Sequence, residues 1–382
     1  MDATRRTLSI LMLNHAYLVE PLRALGHTVF SLGHTPTMLS DPFDVQLSAL
    51  PILSLEDLTP YLPEGFTPEV IVFNDSSEFP RIVGLDKARV PTLFFSIDAH
   101  VHASWHKFFG GGFDHVLLAQ PDYLPQFQDI NPSTTWFPLW ADTWCNPAAT
   151  RPIDASFRGS FSPTTQPERI QFFEELSKLI EVDFGGGSYA EAYSQSKIVI
   201  NHVWKNDLNF RVFEGMGCGG LMITPRINNG LLELFKEGED LVCYENENPE
   251  DAARTIQRFL DNQDELRRIA MNGFTKVQRY HNETERAKTL STILLNLSSR
   301  PHFQKHLNVA IAYLHNNRAL PKEAVDLRFR MTGASVEALI NYAQAGGPKD
   351  ETFSALTGVV CEALRELGEE QLAAQFSVFA RS

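Results

Sequence analysis

Short, unbroken apolar runs recur along most of this chain, and they form two successive series. Leu8–Leu13, Thr28–Leu32, Val70–Phe73, Thr92–Ile97 and Val116–Ala119 make up the first, each run bounded by polar or glycine-containing turns. Segments of helical spacing separate them, such as Tyr17–Leu25 ahead of Gly26. A strand with one wet face alternates apolar and polar residues. An unbroken run is covered on both faces, as in the middle of a parallel sheet. Parallel neighbours need crossovers, and helices supply them with a right-handed sense.

In the second series, strands are read at Ala155–Phe161, Glu181–Phe184, Ile198–Asn201, Leu221–Thr224 and Leu241–Tyr244, the first two with polar residues among the apolar ones. Helices are predicted over Pro167–Leu179, Tyr189–Ser196, Asn209–Cys218, Gly230–Lys236, Pro249–Asn262 and Glu283–Leu297. The first of these carries proline in its opening turn, where the missing N–H costs nothing. The pattern predicts an α/β protein with two doubly wound, Rossmann-like domains facing across a cleft. The expected boundaries are 1–150 and 151–300, with Trp136–Asp142 read as the last strand of the first domain. From Pro301 onward His302–Asn316, Ser335–Ala345 and Thr352–Leu367 have helical spacing, and residues 301–382 are expected to form a helical appendage.

Charge and composition exclude several classes. Lys and Arg number 33 against 47 Asp and Glu, a net charge of −14 that disfavours non-specific binding to nucleic acid or anionic membrane. An anionic small molecule needs only a local positive pocket and stays possible. No apolar run approaches the ~18 residues of a membrane span. Leu8–Leu13 behind Arg5-Arg6 is too short for a signal peptide and ends in Asn14-His15 without a cleavage site. The four cysteines, Cys145, Cys218, Cys243 and Cys361, show no CxxC spacing, so neither a zinc site nor a disulfide framework is expected and a reducing cytoplasm is.

Ligands in doubly wound domains bind at loops leaving the carboxyl ends of strands. The most informative segment is Arg211 to Pro225, in which Glu214 sits inside an otherwise apolar helix closed by Gly219-Gly220. A buried carboxylate needs hydrogen-bonding partners. A vicinal diol such as ribose satisfies both oxygens; a salt bridge to Arg211, three residues earlier on the same face, is the alternative. Gly159 and Ser160 lie toward the carboxyl end of the first strand of the second series, and Arg169 lies on the helix after them. A strand-end glycine lets backbone N–H groups approach a phosphate, and the helix start adds partial positive charge; an ordinary surface turn with a solvated Arg is the plainer reading. Gly185-Gly186-Gly187 lacks the spacing of a dinucleotide fingerprint and reads as turn chemistry.

In the first series, Thr92–Ile97 ends in Asp98-Ala-His100-Val-His102, with His106 close behind. Asp98 at a strand end is placed to accept an acceptor's proton, and His100 to contact a sugar or phosphate. His102 and His106 are equally read as capping or turn histidines, and the His spacing is a poor metal pattern. Asn14-His15 and Phe73–Glu78 are polar strand-end loops with positions suited to an acceptor.

The segment from Arg211 to Pro225 resembles the donor-binding helix of GT-B glycosyltransferases of the group 1 superfamily, and of its spore-maturation-protein-like branch in particular. In that family a Glu followed by small residues, Cys and Gly holds the ribose of a nucleotide sugar, and Glu214 with Gly215 to Gly219 matches it. The wider superfamily has a partner Glu eight residues earlier, where this chain has Asn206. The branch often replaces it with an Asn-x-Arg approach, matched by Asn209 and Arg211. The resemblance covers residues 155–297 well and the first domain in outline. It implies that Gly159, Ser160 and Arg169 face the diphosphate and that Asn229 and Gly230 lie beside the donor sugar.

The expectation is therefore a glycosyltransferase. It moves a sugar from a nucleotide-diphosphate donor to an unidentified acceptor (glycan, protein or small molecule), with retention of configuration. Asp98, His100 and Glu214 are the candidate catalytic residues. The resemblance implies no cofactor and no metal ion; oligomeric state is left open. The alternatives are a nucleotide-sugar epimerase on the same fold and a non-catalytic, transferase-like scaffold.

Overall fold

The computed structural model describes residues 6–34, 43–47, 52–142, 144–146 and 149–381. The chain divides into two compact units: one of residues 1–119, 123–136 and 287–382, the other of residues 120–122 and 137–286.

The first unit is built on a seven-stranded sheet: β1 (Ser9–Leu13), β2 (Thr28–Gly33), β3 (Val45–Gln46), β5 (Val70–Asn74), β7 (Thr92–Ser96), β8 (His115–Leu118) and β9 (Thr134–Trp136). A two-stranded pairing of β4 (Leu53–Ser54) with β6 (Ile82–Val83) lies beside it. The sheet order is β3-β2-β1-β5-β7-β8-β9 and every pairing is parallel. All five residues of β5 and of β7 are buried, as unbroken apolar runs require. Helices α1 (Val19–Ala24), α2 (Ala99–Gly110) and α3 (Leu124–Gln128) lie between strands. The strand order reverses at β1 and β5, so the loops after these two strands flank the sheet's switch point.

Four later helices belong to this same unit: α11 (Gln304–Ala319), α12 (Val325–Gln344), α13 (Glu351–Glu366) and α14 (Glu370–Arg381). Tyr313, Met331, Tyr342, Phe353 and Phe376 sit in one hydrophobic core with Phe73, Phe94, Phe109 and Phe113. Lys305 Nζ pairs with the buried Asp114 at 2.5 Å, and His306 Nδ1 with Asp86 at 2.6 Å.

The second unit holds five parallel strands in the order β11-β10-β12-β13-β14. They are β10 (Ile153–Arg158), β11 (Asp183–Gly185), β12 (Ser196–Ile200), β13 (Leu221–Pro225) and β14 (Val242–Tyr244). Its helices are α4 (Pro167–Leu176), α5 (Tyr189–Gln195), α6 (Phe210–Gly217), α7 (Leu231–Leu234), α8 (Pro249–Asp261), α9 (Gln263–Tyr280) and the start of α10 (Glu283–Asn296). The switch point lies between β10 and β12, which aims the loops beginning at Gly159 and Asn201 at one place.

Two expectations are corrected. Trp136–Asp142 is not a strand: β9 ends at Trp136, and beyond it only Ala141 makes an isolated bridge, to Asn282. Pro138 has no N–H to give a ladder. The carbonyls of Pro138 and Leu139 instead accept from the Arg286 guanidinium at 2.6 and 3.2 Å. The eighteen-residue helix α9 was assigned no element from the sequence, although Leu266, Ile269, Ala270, Gly273 and Val277 trace its buried stripe. Both doubly wound sheets are found as expected, as are helices over the three segments named beyond Pro301, whereas α14 was assigned no element from the sequence.

Candidate active site

Phe157, the fifth residue of β10, is fully buried and forms a platform for two guanidinium groups. The Arg211 carbon lies 4.4 Å from its ring centroid and the Arg169 carbon 5.4 Å. Arg211 is the second residue of α6. Its Nε donates to Arg158 O at 2.9 Å and its Nη1 to Asn201 Oδ1 at 2.8 Å. Asn201 is itself fixed: Nδ2 donates to Thr224 Oγ1 at 3.0 Å, and Tyr244 Oη donates to Asn201 O at 2.7 Å. Arg169, buried on α4, donates from Nη1 to Ser160 O at 3.0 Å and from Nη2 to His202 O at 3.4 Å.

Among the described residues neither guanidinium pairs with a carboxylate. A buried cation is normally paired, so buried Arg169 and half-buried Arg211 on one ring form a locus that attracts an anion. Burial, with the charge of Arg211 second, pulls the Arg169 guanidinium down to about 10. Gly159 is part of the same construction. A Cβ there would stand 2.7 Å from Arg211 Nη2 and 2.8 Å from the Phe157 ring, so no larger residue fits while Arg211 keeps its place.

Glu214 lies one turn beyond Arg211 and is 7% exposed. Among the described residues its carboxylate has no hydrogen bond and no ion pair; the salt bridge to Arg211 is not formed, because Arg211 points to Arg158 O and Asn201. Burial pushes the Glu214 carboxyl up to about 8, against the opposing charge of Arg211 and with a smaller contribution from Asp142. Tyr189 Oη holds Asp142 Oδ1 at 2.5 Å.

A cavity of about 330 Å³ opens beside Arg169, lined also by Gln166, His202, Trp204, Lys205 and Glu247. Gln166 Oε1, Arg169 Nε and His202 Nδ1 are buried in it without hydrogen-bond partners. His202 Nε2 lies 3.5 Å from Glu247 Oε2. Lys205, Asn206 and Glu247 all hold positive φ, of 51°, 64° and 55°, a clustering of backbone strain characteristic of functional loops.

The structure thus gathers Gly159, Ser160, Arg169 and Arg211 around one ring, with Glu214 a turn away. Asn209 is the N-cap residue of α6, yet it makes no side-chain cap bond and its Oδ1 is buried without a partner. Asn229 has a different occupation. Its Nδ2 donates to Gln120 Oε1 at 2.5 Å and Asn206 O at 2.9 Å, and its Oδ1 accepts from Asp122 N at 3.2 Å. Its amide is therefore spent tying loops together. Gly230, with φ of 79°, turns the chain into the four-residue α7. Phe157 and Asn201 escaped the sequence reading, since nothing local marks a strand phenylalanine as a platform.

In the first unit, Asp98 is the half-buried N-cap residue of α2, and its Oδ2 accepts from the Ser77 hydroxyl. His100, on the first turn, is also half-buried. His106 is a core residue: its Nδ1 lies 2.9 Å from Ser96 Oγ, its Nε2 3.6 Å from Asp75 Oδ1, and burial pulls it down to about 4. The His102 ring lies tilted against it, with centroids 5.2 Å apart. Among the described residues no group of three or more His, Cys, Asp or Glu side chains is arranged to hold a metal ion. Among the same residues no helix is long and apolar enough to cross a membrane.

Residues 169–292 match the family described as "Glycosyl transferase-like". No curated protein matches the chain by sequence. Among solved structures, it resembles Anabaena HepE in complex with UDP and glucose, with a TM-score of 0.56 at 13% identity over 76% of this chain and 100% of that one. It also resembles sucrose-phosphate synthase from Thermosynechococcus elongatus, with a TM-score of 0.52 at 14% identity over 75% and 98%. A third is the pneumococcal O-GlcNAc transferase in complex with UDP and GlcNAc, at 0.52 and 8% identity over 76% and 99%. At such identities the likeness is one of fold. The chain has the GT-B architecture of glycosyltransferases, and its second unit carries the matched glycosyltransferase segment.

Proposed function

We propose that the protein is a glycosyltransferase whose second unit binds a nucleoside-diphosphate sugar and whose first unit offers strand-end loops to a hydroxyl-bearing acceptor. The observation that carries this reading is the pair of guanidiniums on Phe157, buried Arg169 and half-buried Arg211, neither of them held by a carboxylate. A diphosphate supplies the missing negative charge in a bidentate form that guanidinium groups suit. Glu214, one turn on, has open acceptor capacity for a ribose diol, and ionised hydrogen bonds of this kind contribute roughly 1.5–3 kcal/mol each. Fixed positive charge beside a departing diphosphate lowers the barrier because the charge develops where the donors already point.

The reaction forms a bond between the acceptor oxygen and the anomeric carbon while the bond from that carbon to the diphosphate breaks. In the retaining course that the superfamily resemblance favours, a diphosphate oxygen takes the acceptor's proton. In an inverting course Asp98 is the base. Asn209 and Arg211, with Asn206 in place of the first Glu, support membership of the spore-maturation-protein-like branch. A non-catalytic scaffold is the poorer reading: a buried acid without a partner, beside two arginines without carboxylate partners, costs stability and brings a scaffold nothing.

The complexes of the HepE and O-GlcNAc transferase structures with UDP make UDP the first nucleotide to test. Isothermal titration with UDP, UMP and UDP-glucose is expected to give binding that needs the second phosphate. It is expected to weaken at least about tenfold in Arg211→Lys, which cannot reproduce both of the arginine's bonds. Failure of every nucleoside diphosphate to bind the folded protein would falsify the proposal.

A further inference from the structure

The first unit contains a hydrogen-bonded assembly at its own switch point that donor binding does not use. Asp75, the first residue after β5, is 4% exposed, and its carboxylate accepts three backbone N–H groups. Ser77 N donates to Oδ1 at 2.8 Å; Ile97 N and Asp98 N donate to Oδ2 at 3.0 and 2.8 Å. The buried His106 stands on its other side, itself held by Ser96. One side chain therefore fixes the loop after β5 to the loop after β7.

Two residues carry that fixation to the surface. Ser77 is exposed and holds a φ of 56°, which a serine rarely adopts unaided. In that pose its hydroxyl donates to the carboxylate of Asp98. Asp98 occupies an N-cap position, where aspartate ordinarily accepts from a helix N–H, yet it makes no such bond. Its carboxylate is turned toward Ser77 instead. A third loop joins in: Asn14, with φ of 75°, donates from Nδ2 to Asn74 O at 2.7 Å and Ser76 Oγ at 2.8 Å. Asn74 Nδ2 in turn donates to His15 O at 2.7 Å. Buried, hydrogen-bonded groups underlie an exposed hydroxyl and a half-buried carboxylate, with positive φ at exposed Ser77 and at buried Asn14.

We infer that Asp75 is the positioning residue of an acceptor site in which Ser77 and Asp98 together contact the incoming hydroxyl group. Asp98 accepts a hydrogen bond from that hydroxyl, and Ser77 orients the carboxylate that does so. Misplacing such a group by about 1 Å costs on the order of 100-fold in rate. The inference rests on the transferase reading for its reaction, while the loop geometry stands without it.

The test uses the full chain and UDP-glucose with water as acceptor. Water attacks the anomeric carbon, the bond to UDP breaks, and the water's proton passes to the departing diphosphate. Asp75→Asn is expected to lower kcat for hydrolysis about 10- to 100-fold, with KM for UDP-glucose and affinity for UDP unchanged. Amide exchange at Ser77, Ile97 and Asp98 is expected to quicken in the same variant. Ser77→Gly removes the hydroxyl on the surface, relaxes the backbone and so tolerates folding even if Asp75→Asn does not. It too is expected to lose kcat, and to add nothing to Asp75→Asn. A wild-type kcat in both variants, even with faster exchange or a lower Tm, overturns the inference while leaving donor binding intact. Absence of UDP binding and of turnover in the wild type overturns the transferase reading and this site with it.

Discussion

Arg211 and Glu214 stand three residues apart on α6, on the same face, and do not pair. Arg211 is drawn to Arg158 O and Asn201 Oδ1, and Glu214 is left buried with its oxygens unclaimed. A helix that met only structural demands would close this gap with a salt bridge. Both side chains are instead left open, which is the arrangement a ligand with a diphosphate and a diol can complete.

Replacing Glu214 by Gln should therefore split stability from binding. In the ligand-free protein the variant loses an acid whose ionised form burial penalises, and its stability at pH 7 is expected to rise by about 1–3 kcal/mol in urea denaturation. Affinity for UDP-glucose is expected to fall by about 10- to 100-fold, the loss of one charge-assisted contact. A variant with both properties unchanged would remove Glu214 from the site.

Stability should bend with pH in opposite directions for two buried groups. Glu214 titrates near 8 when folded and near 4.5 when unfolded, so between those values the folded state keeps a proton that the unfolded state has lost. Its contribution is fully present below about 4.5 and drains away as pH rises toward 8. His106 titrates near 4 when folded against 6.5 unfolded, so the unfolded state gains a proton the folded state refuses. That contribution is lost as pH falls from 6.5 toward 4. Urea midpoints between pH 4 and 9 are expected to flatten on the alkaline side in Glu214→Gln and on the acid side in His106→Gln.

Donor binding at pH 7 should release a proton. A carboxyl near 8 is largely protonated there, while a diol is best held by the carboxylate. Titration calorimetry with UDP-glucose in two buffers of different ionisation enthalpy is expected to report net release toward one proton, shrinking above pH 8. Glu214→Gln is expected to release none.

Glycine substitutions offer a contrast that needs no acceptor. Gly159→Ala puts a Cβ 2.7 Å from Arg211 Nη2, so the guanidinium must leave Phe157 or the strand must shift. A loss of UDP affinity of at least about tenfold is expected, with roughly 1–3 kcal/mol of destabilisation. At Gly185, on the adjacent strand end, the same methyl meets nothing within 4 Å, and Gly185→Ala is expected to bind UDP normally.

The parallel strands were legible in the sequence because burial on both faces leaves an unbroken apolar run, and Leu11, Phe73, Phe94, Ile198 and Ile223 are all core residues. Their ends shifted by one to three residues, where the last hydrogen bond rather than hydrophobicity decides. Trp136–Asp142 misled because its apolar residues cover a core without joining a ladder. The charged helix α9 was missed because only five of its residues mark the buried stripe. Gly159, Arg169, Arg211 and Glu214 were readable as unusual residue types at strand ends. Asn229 was chosen on the same ground, yet its amide binds Gln120 and Asn206, partners that only the folded chain brings near. Asp75 was readable only as one member of the polar loop Phe73–Glu78, since its three donors are backbone groups from two loops.

Because Tyr313, Tyr342, Phe353 and Phe376 complete the core beneath Phe73 and Phe94, the first-made sheet is also the last to be finished. On the ribosome residues 137–286 emerge whole and can fold while the earlier strands still lack their cover, reversing the usual order in which the leading domain matures first. Until α11 to α14 emerge, a half-clad apolar sheet must be kept from other chains. Loss of those helices is accordingly expected to produce aggregation during synthesis, not a shorter folded protein.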